Sequence, residues 1–264
     1  MNQDLVGSRS NFDAHLHAWQ DHQSTPWGRL FYSVARANLQ RHLEPRPLHI
    51  LDAGGGNGLD AIYLAAQGHT VALVDGSAEM LAEARLAAEE CNVAERIAFY
   101  HSDVSAISAL FPEPTFDVAL CHNVVQYVDD AASALRAVCS PLRRDGLISF
   151  ISVNRYSQAY REATLRLDPA AAYANLDATT ATATLFDLPM RLYTVEDLSA
   201  LLESVGCALV GRYGIRCVTD YISNNNIKSD PAFFAQLERL EHAMTDKYPY
   251  WLLARFFQII ARRC

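Results

Sequence analysis

Short apolar runs alternate along this chain with segments of helical period. LHILDA (48–53) is an apolar run that stops at glycines, as a buried parallel strand does. LDAIYLAAQG keeps its apolar residues at helical spacing and ends at Gly68, a residue suited to a C-terminal cap. TVALVD predicts a second strand, and SAEMLAEARLAAEECN a helix with Ser77 as N-cap and Glu79 in its first turn. RIAFYHSD (96–103) and FDVALCHNVV (116–125) predict strands three and four, separated by a short helix in SAISALFPEP that breaks at Pro112. A helix over about 129–142, a turn at RRDG and a fifth strand in LISFISVN (147–154) come next. TVEDLSALLESVG (194–206) predicts a helix whose Thr194 N-cap and Asp197 form an acidic capping box. Gly206 leads into CALVGRYGIRCVTDYI; DPAFFAQLERLEHAMTD is helical, and YWLLARFFQIIARR predicts a closing strand.

Strand–helix alternation of this kind predicts an α/β fold, a doubly wound sheet with right-handed crossovers. Ligands on such sheets sit beyond the carboxyl ends of the strands. Two pieces fall outside the alternation: residues 1–47, where STPWGRLFYSVARANLQRHL gives an aromatic turn and a helix, and residues 155–193. Both are expected as lid segments over a core made of 48–154 and 194–264.

With 264 residues, half of them hydrophobic and a fifth charged, the chain is sized for one large soluble domain. It has no long apolar run, so no membrane span is expected. MNQDLVGSRSNFD lacks the basic-then-apolar order of a signal peptide. Six cysteines without C-x-x-C spacing suit free thiols, hence a cytoplasmic protein. The histidines, including His15, His17, His22, His42 and His49, lack partnering ligands, so no metal is expected. A net charge of −8 gives no support to a broad nucleic-acid footprint.

The informative stretch follows strand one: Asp52-Ala53-Gly54-Gly55-Gly56-Asn57-Gly58, a D-x-G-x-G-x-G loop. Glycine allows positive φ and removes the Cβ that would keep a ligand away. The dinucleotide fingerprint G-x-G-x-x-G fails, because counting from Gly54 its last position is Leu59. A phosphate-binding P-loop fails too, since no Lys or Ser stands in the loop. Asp75 ends strand two, where a carboxylate can accept from a ribose diol, and Asp103 ends strand three, within reach of an adenine amino group. An adenosine ligand without phosphate satisfies this set, and S-adenosylmethionine (SAM) is one; its sulfonium is better tolerated near acids and carbonyls than near Lys or Arg. The plain alternative is a glycine turn kept for strand–helix packing.

With those residues in hand, the chain resembles class I SAM-dependent methyltransferases. More narrowly it is similar to the bacterial family that methylates the carboxyl of 5-carboxymethoxyuridine at the tRNA wobble position. The resemblance runs through NFD (11–13), LDAGGGNG (51–58), GHTVALVDGSAEM (68–80), FDVALCHNVVQYVDD (116–130), GIRCVTDYI (214–222) and YPYWLLARFFQIIARR (248–263). It implies a Rossmann-like, mostly parallel seven-stranded sheet. It also implies cofactor contacts from Gly54, Gly55, Asp75, Ser102, Asp103, Val104 and His122, with S-adenosylhomocysteine (SAH) as product; Asp52, Gly56, Gly76, Met80 and Asn123, beside them in the sequence, complete the candidate cofactor site. An N-terminal Arg also touches the cofactor in that family, which makes Arg29 of WGRLFY a cofactor-binding candidate, although out of register. Where the family carries a Lys-rich insert, LDATTATATLFDLPMRLYT has Arg191 alone; Arg155, Arg161, Arg166, Arg262 and Arg263 are the basic residues left for tRNA phosphates.

Methyl transfer from a sulfonium needs no acid at the leaving group, so such an enzyme mainly aligns the acceptor and excludes water. A carboxylate acceptor is already an anion at neutral pH and needs a cation to hold it. Arg216 is the candidate clamp, through bidentate guanidinium–carboxylate pairing; equally, it could pair with Asp220. His122 serves either as a base for a hydroxyl acceptor or as a wall of the cofactor pocket. Tyr221, with Tyr127, Asn154 and Tyr156, could line the acceptor pocket, and Trp27 or Tyr32 could cap it. The expected function is therefore O-methylation of a carboxylate, as in tRNA. The alternatives are methylation of a hydroxyl or carboxyl on a small metabolite, and SAM binding without turnover.

Overall fold

The structure, a computed structural model, describes residues 16–264; NFD and His15 lie outside the described residues. β1 (His49–Ala53) lies inside the sheet, hydrogen-bonded in parallel to β2 (Thr70–Asp75) and to β4 (Phe116–His122). β3 (Ile97–His101) extends the sheet beyond β2, and β5 (Leu142–Val153) beyond β4, both parallel. β9 (Phe256–Arg263) then pairs antiparallel with β5, and β8 (Cys207–Ile215) closes that edge. The order is β3-β2-β1-β4-β5-β9-β8, a seven-stranded, mostly parallel sheet as expected.

The period-two rule of a strand divides the core into two layers. Ile50, Leu73, Val118 and Leu120 face α3 (Leu59–Ala66) and α4 (Ala78–Glu90), meeting Ala61, Leu64, Leu81 and Ala84. Leu51, Ala53, Ala119 and Cys121 face the other way, onto α5 (Ile107–Leu110), α6 (Ala131–Cys139) and α9 (Val195–Ser204) through Ile107, Leu135, Val138, Leu198 and Leu202. The capping box at the start of α9 forms as the sequence predicts: Thr194 Oγ1 accepts from Asp197 N, and Asp197 Oδ2 accepts from Thr194 N.

Several boundaries differ from the sequence reading. RRDG is no turn before strand five: Leu142 already pairs with Phe116, and the irregularity is absorbed inside β5 by a register shift and by Asp145 at φ 64. Strand four stops at His122, because Asn123 turns to φ 57 and a 3₁₀ turn takes Val125–Tyr127. In the closing segment Tyr250–Leu253 is also 3₁₀, and β9 begins only at Phe256.

Helices α1 (Leu16–Ser24) and α2 (Pro26–Gln40) precede the sheet; Thr25 caps α2 and Pro26 opens it, where a missing N–H costs nothing. Residues 155–193 are not a bare loop. They form α7 (Arg155–Thr164), α8 (Pro169–Ala174) and the hairpin of β6 (Thr180–Ala183) with β7 (Leu188–Arg191). Its apolar side, Ala183, Phe186, Leu188, Met190 and Leu192, packs on Val153 at the end of β5 and against Trp19, Tyr127 and Phe256. The hairpin and α1 therefore meet above the carboxyl ends of the strands. After β8, α10 (Asn225–Lys228) and α11 (Pro231–Met244) lead back to β9.

Candidate functional site

A cavity of about 740 Å³ opens at the carboxyl ends of β1, β2 and β4, under the insert. One wall is the glycine loop. Gly54 sits at φ 73, and a Cβ there would lie 2.4 Å from Val124 Cγ2, so the loop requires glycine on both counts. At Gly56, φ 54, an added Cβ would meet only Met80 Sδ, at 4.0 Å; the loop presents open space to the cavity there.

Asp75 is held by two backbone amides: Gly56 N donates to Oδ2 at 2.8 Å and Ser77 N to Oδ1 at 2.9 Å. This ties the tip of β2 to the glycine loop and to the start of α4, whose N-cap is Ser77. Asp103 caps a 3₁₀ turn, accepting from Ser105 N and Oγ, and lines the cavity together with Val104. Asp52 is buried beneath the loop. Burial, then Asp60 and Asp75 nearby, push its carboxyl well above the usual carboxylate range, and its Oδ2 has no hydrogen-bond partner.

His122, at the end of β4, has both ring nitrogens engaged. Nδ1 lies 3.1 Å from Asp60 Oδ2 and Nε2 2.8 Å from Ser149 Oγ. A carboxylate only accepts, so Nδ1 donates; Ser149 receives Gln258 Nε2 at 2.9 Å and has its own hydrogen free for His122 Nε2. Burial presses Asp60 upward, but the His122 hydrogen bond and Arg36 outweigh it and hold the group below the ordinary carboxylate range. Arg36 donates to Asp60 Oδ1 at 2.8 Å and to Leu59 O at 2.7 Å. These contacts hold the ring in the wall of the pocket, with both ring nitrogens hydrogen-bonded within the protein.

The second wall is cationic. Arg216, at φ 61, donates Nε to Asp220 Oδ1 at 3.0 Å and Nη2 to the same oxygen. Arg255 Nε lies 3.8 Å from Asp220 Oδ2, and its Nη1 donates to Ser157 Oγ at 3.3 Å. Arg161, from α7, lines the same wall. Burial, then the like charge of Arg161, press Arg255 down to about 9, which leaves it cationic at neutral pH. Asp220 is raised by burial but more strongly lowered by Arg216 and Arg255, so it stays ionised. The third wall is aromatic: Trp19 and Phe186 at 5.5 Å between ring centres, Phe31 and Phe256 at 5.0 Å, and Tyr127 beside Phe186.

Of the residues singled out from the sequence, Asp52, Gly54, Gly55, Gly56, Asp75, Gly76, Met80, Asp103, Val104, His122, Asn123 and Arg216 all line this cavity. Three do not. Ser102 donates its amide to Asp75 O and lies just behind the wall. Arg29 is exposed, bonded to Ser24 O, and does not line the cavity. Tyr221 donates to Leu253 O and packs edge-on against Tyr160, so its hydroxyl is occupied by main chain. Among the pocket and cap candidates, Tyr32 and Tyr127 line the cavity. Asn154 is spent on Leu252 O and Ala254 O, Tyr156 is exposed, and Trp27 carries Lys228 on its ring face.

Gln23, Gln158 and Arg255 were not singled out from the sequence, yet all three line the cavity, as do Arg161 and Arg166, which the sequence offered only as contacts for tRNA phosphates. Arg255 had one local signal: a charged residue directly ahead of the buried run FFQII. Gln23 had none. It exchanges hydrogen bonds with Asn57 of the glycine loop, at 3.2 and 2.7 Å, and donates to Tyr32 OH at 2.7 Å.

The buried, unpartnered Asp52 oxygen and the open side of Gly56 fit a ligand that brings a cation and adenosine together, as SAM does. Residues 51–150 match the methyltransferase domain family. Over 251 residues, 90% of each chain, the sequence is 30% identical to tRNA 5-carboxymethoxyuridine methyltransferase of Escherichia coli K12. Over 152 residues, 57% of this chain and 64% of the relative, it is 30% identical to a ubiquinone biosynthesis O-methyltransferase of Azotobacter vinelandii. A solved SAM-dependent methyltransferase of Thermotoga maritima superposes with a TM-score of 0.67 at 15% identity, covering 97% of this chain and 100% of that one. Magnesium protoporphyrin IX methyltransferase of Synechocystis gives a TM-score of 0.61 at 13% identity, over 100% and 99%. The structural likenesses speak for the fold, and the relative that matches nearly end to end speaks for the family: the chain belongs to the class I SAM-dependent methyltransferases.

Proposed function

We propose that the chain methylates a carboxylate oxygen, and that the acceptor is 5-carboxymethoxyuridine in tRNA. The observation that carries this reading is the cationic wall: Arg161, Arg216 and Arg255 face the cavity around one carboxylate, Asp220. Three guanidinium groups against one buried acid leave positive charge that an anionic acceptor would balance. The likeness over 90% of each chain to the E. coli tRNA 5-carboxymethoxyuridine methyltransferase supports the same acceptor.

In this reading Asp75 would accept from the ribose hydroxyls, Asp103 and Val104 would hold the adenine end, and Asp52 would face the ammonium. SAM, when bound, would supply a methyl group on a sulfonium that leaves as a neutral thioether, keeping the electron pair of the broken C–S bond, as the acceptor oxygen gains the methyl. The remaining work falls to the chain: the guanidinium wall orients the acceptor, the aromatic wall of Trp19, Phe186 and Tyr127 holds a flat ring, and the insert excludes water. A hydroxyl acceptor would need a base, and His122 is committed to Asp60 and Ser149.

The test is nucleoside analysis of tRNA from a strain lacking the gene and any redundant enzyme. Loss of 5-methoxycarbonylmethoxyuridine, with accumulation of its acid, is expected; an undiminished ester would remove the tRNA assignment.

A further inference from the structure

We infer that the group reading the acceptor's carboxylate is Arg161 of the inserted helix α7, supported by Gln158, and that Arg216 serves as its positively charged backing. The inference rests on the carboxylate reading above and asks which residues make the discrimination.

The three guanidinium groups differ in what they already hold. Arg216 spends Nε and Nη2 on Asp220 Oδ1. Arg255 is braced by Ser157, by Asp220 and by the ring of Phe256, 5.5 Å away. Among the described residues Arg161 makes no side-chain hydrogen bond or ion pair, and its Nε is sealed from solvent without a partner. Its nearest acid in sequence is no help: Glu162 pairs with Arg166, at 2.9 and 3.2 Å.

Gln158 repeats the pattern. It stands three residues before Arg161, so the two share a face of α7, and both line the cavity. Its Nε2 is likewise buried without a partner. Two unpaired donors on one helical face are costly to bury, and native proteins keep such groups where a ligand relieves them. A carboxylate, an acceptor with two oxygens, matches a guanidinium fork with an amide beside it. The charge of Arg161 is also felt by its surroundings, since it presses Arg255 down and helps to hold Asp220 ionised. Placing the reader on the insert, away from the glycine loop, lets acceptor choice vary without disturbing the cofactor wall.

The experiment titrates SAH-saturated protein with two anticodon stem-loop RNAs, one carrying 5-carboxymethoxyuridine and one its neutral carboxamide. Wild type is expected to favour the acid by roughly tenfold or more. Arg161→Met should bring that ratio close to one with SAH affinity unchanged, Gln158→Leu should lower it in part, and Arg161→Lys should restore part of it. If Arg161→Met binds SAH normally and keeps the wild-type ratio, the inference is overturned while the carboxylate reading stands. If Arg161→Met fails to fold, Arg161→Lys and Gln158→Leu decide: wild-type ratios in both overturn it. If wild type itself does not distinguish acid from amide, the carboxylate reading falls and the inference with it.

Discussion

Gln23 and Asn57 exchange two side-chain amide hydrogen bonds, at 3.2 and 2.7 Å, joining the first described helix to the tip of the glycine loop. Gln23 is buried, and its Nε2 also donates to Tyr32 OH. The N-terminal helix pair is thus hydrogen-bonded to the cofactor wall. Gln23→Leu should weaken SAH binding by roughly tenfold, the loss of one or two net hydrogen bonds, while leaving the acid-over-amide preference for the acceptor intact. Calorimetric titration of SAH measures the first and RNA titration the second; unchanged SAH affinity would show that the pair only packs.

Asp75 carries the cofactor assignment. Its carboxylate organises Gly56 and Ser77 as well as facing the cavity. Asp75→Ala should reduce SAM affinity by about tenfold to a hundredfold, the range for lost hydrogen bonds to a charged group. Calorimetry with unchanged affinity would refute the ribose assignment.

Asp52 gives a pH signature. Its folded-state carboxyl is raised above its unfolded value by burial and by Asp60 and Asp75. A raised acid contributes stability below the unfolded carboxylate pKa, and that contribution is lost as pH rises through the folded value. At about pH 7 the ligand-free protein therefore pays for keeping this group protonated or for burying its charge. Asp52→Asn should be more stable than wild type in urea at about pH 7, with the gap closing near pH 3.5, while binding SAM more weakly. Equal urea midpoints at both pH values would count against a raised Asp52.

The acid–guanidinium cluster has the opposite sign. Asp220 is held below its unfolded value by Arg216 and Arg255 against the pull of burial, so its stabilisation is present above the ordinary carboxylate range and is lost as pH falls through the folded value. Asp220→Ala leaves Arg216 and Arg255 without their acid and should cost about 3–5 kcal/mol, read as a lowered urea midpoint at neutral pH. A change within about 0.5 kcal/mol would mean the guanidinium groups find other partners.

Much of the glycine-loop wall of the cavity was legible in the sequence because it is local. D-x-G-x-G-x-G, the acid that ends TVALVD and the acid after RIAFYHS are short patterns at strand ends, and strand ends fix where side chains gather. The same logic found the Thr194–Asp197 capping box. The cationic wall as a unit was not legible, although Arg216 and Arg161 were named singly, because its members meet only through the fold: Arg161 from the insert, Arg216 after β8, and Arg255 before β9. Arg29 and Tyr221 failed for a related reason. Position near a motif says nothing about which way a side chain leaves its helix, and both are tied to main-chain oxygens away from the cavity. The RRDG segment misled because turn-forming composition can also be housed as an irregularity inside a strand, here with Asp145 at φ 64.

His122 separates a carboxylate acceptor from a hydroxyl acceptor. With both ring nitrogens engaged, His122→Asn should keep kcat within about tenfold of wild type, whereas removing a general base typically costs a hundredfold or more. The pH–rate profile should keep its shape; loss of a limb in the imidazole range together with a large drop in kcat would restore His122 as a base.

The most direct measurement is methyl transfer by the purified chain from labelled SAM to tRNA carrying 5-carboxymethoxyuridine, followed by mild alkaline treatment of the product. The label should enter the tRNA as a methyl ester and be released by alkali, with no incorporation into tRNA bearing the neutral carboxamide. An alkali-stable methyl group, or no labelling of the acid-bearing tRNA, would contradict carboxylate methylation of tRNA as the activity of this protein.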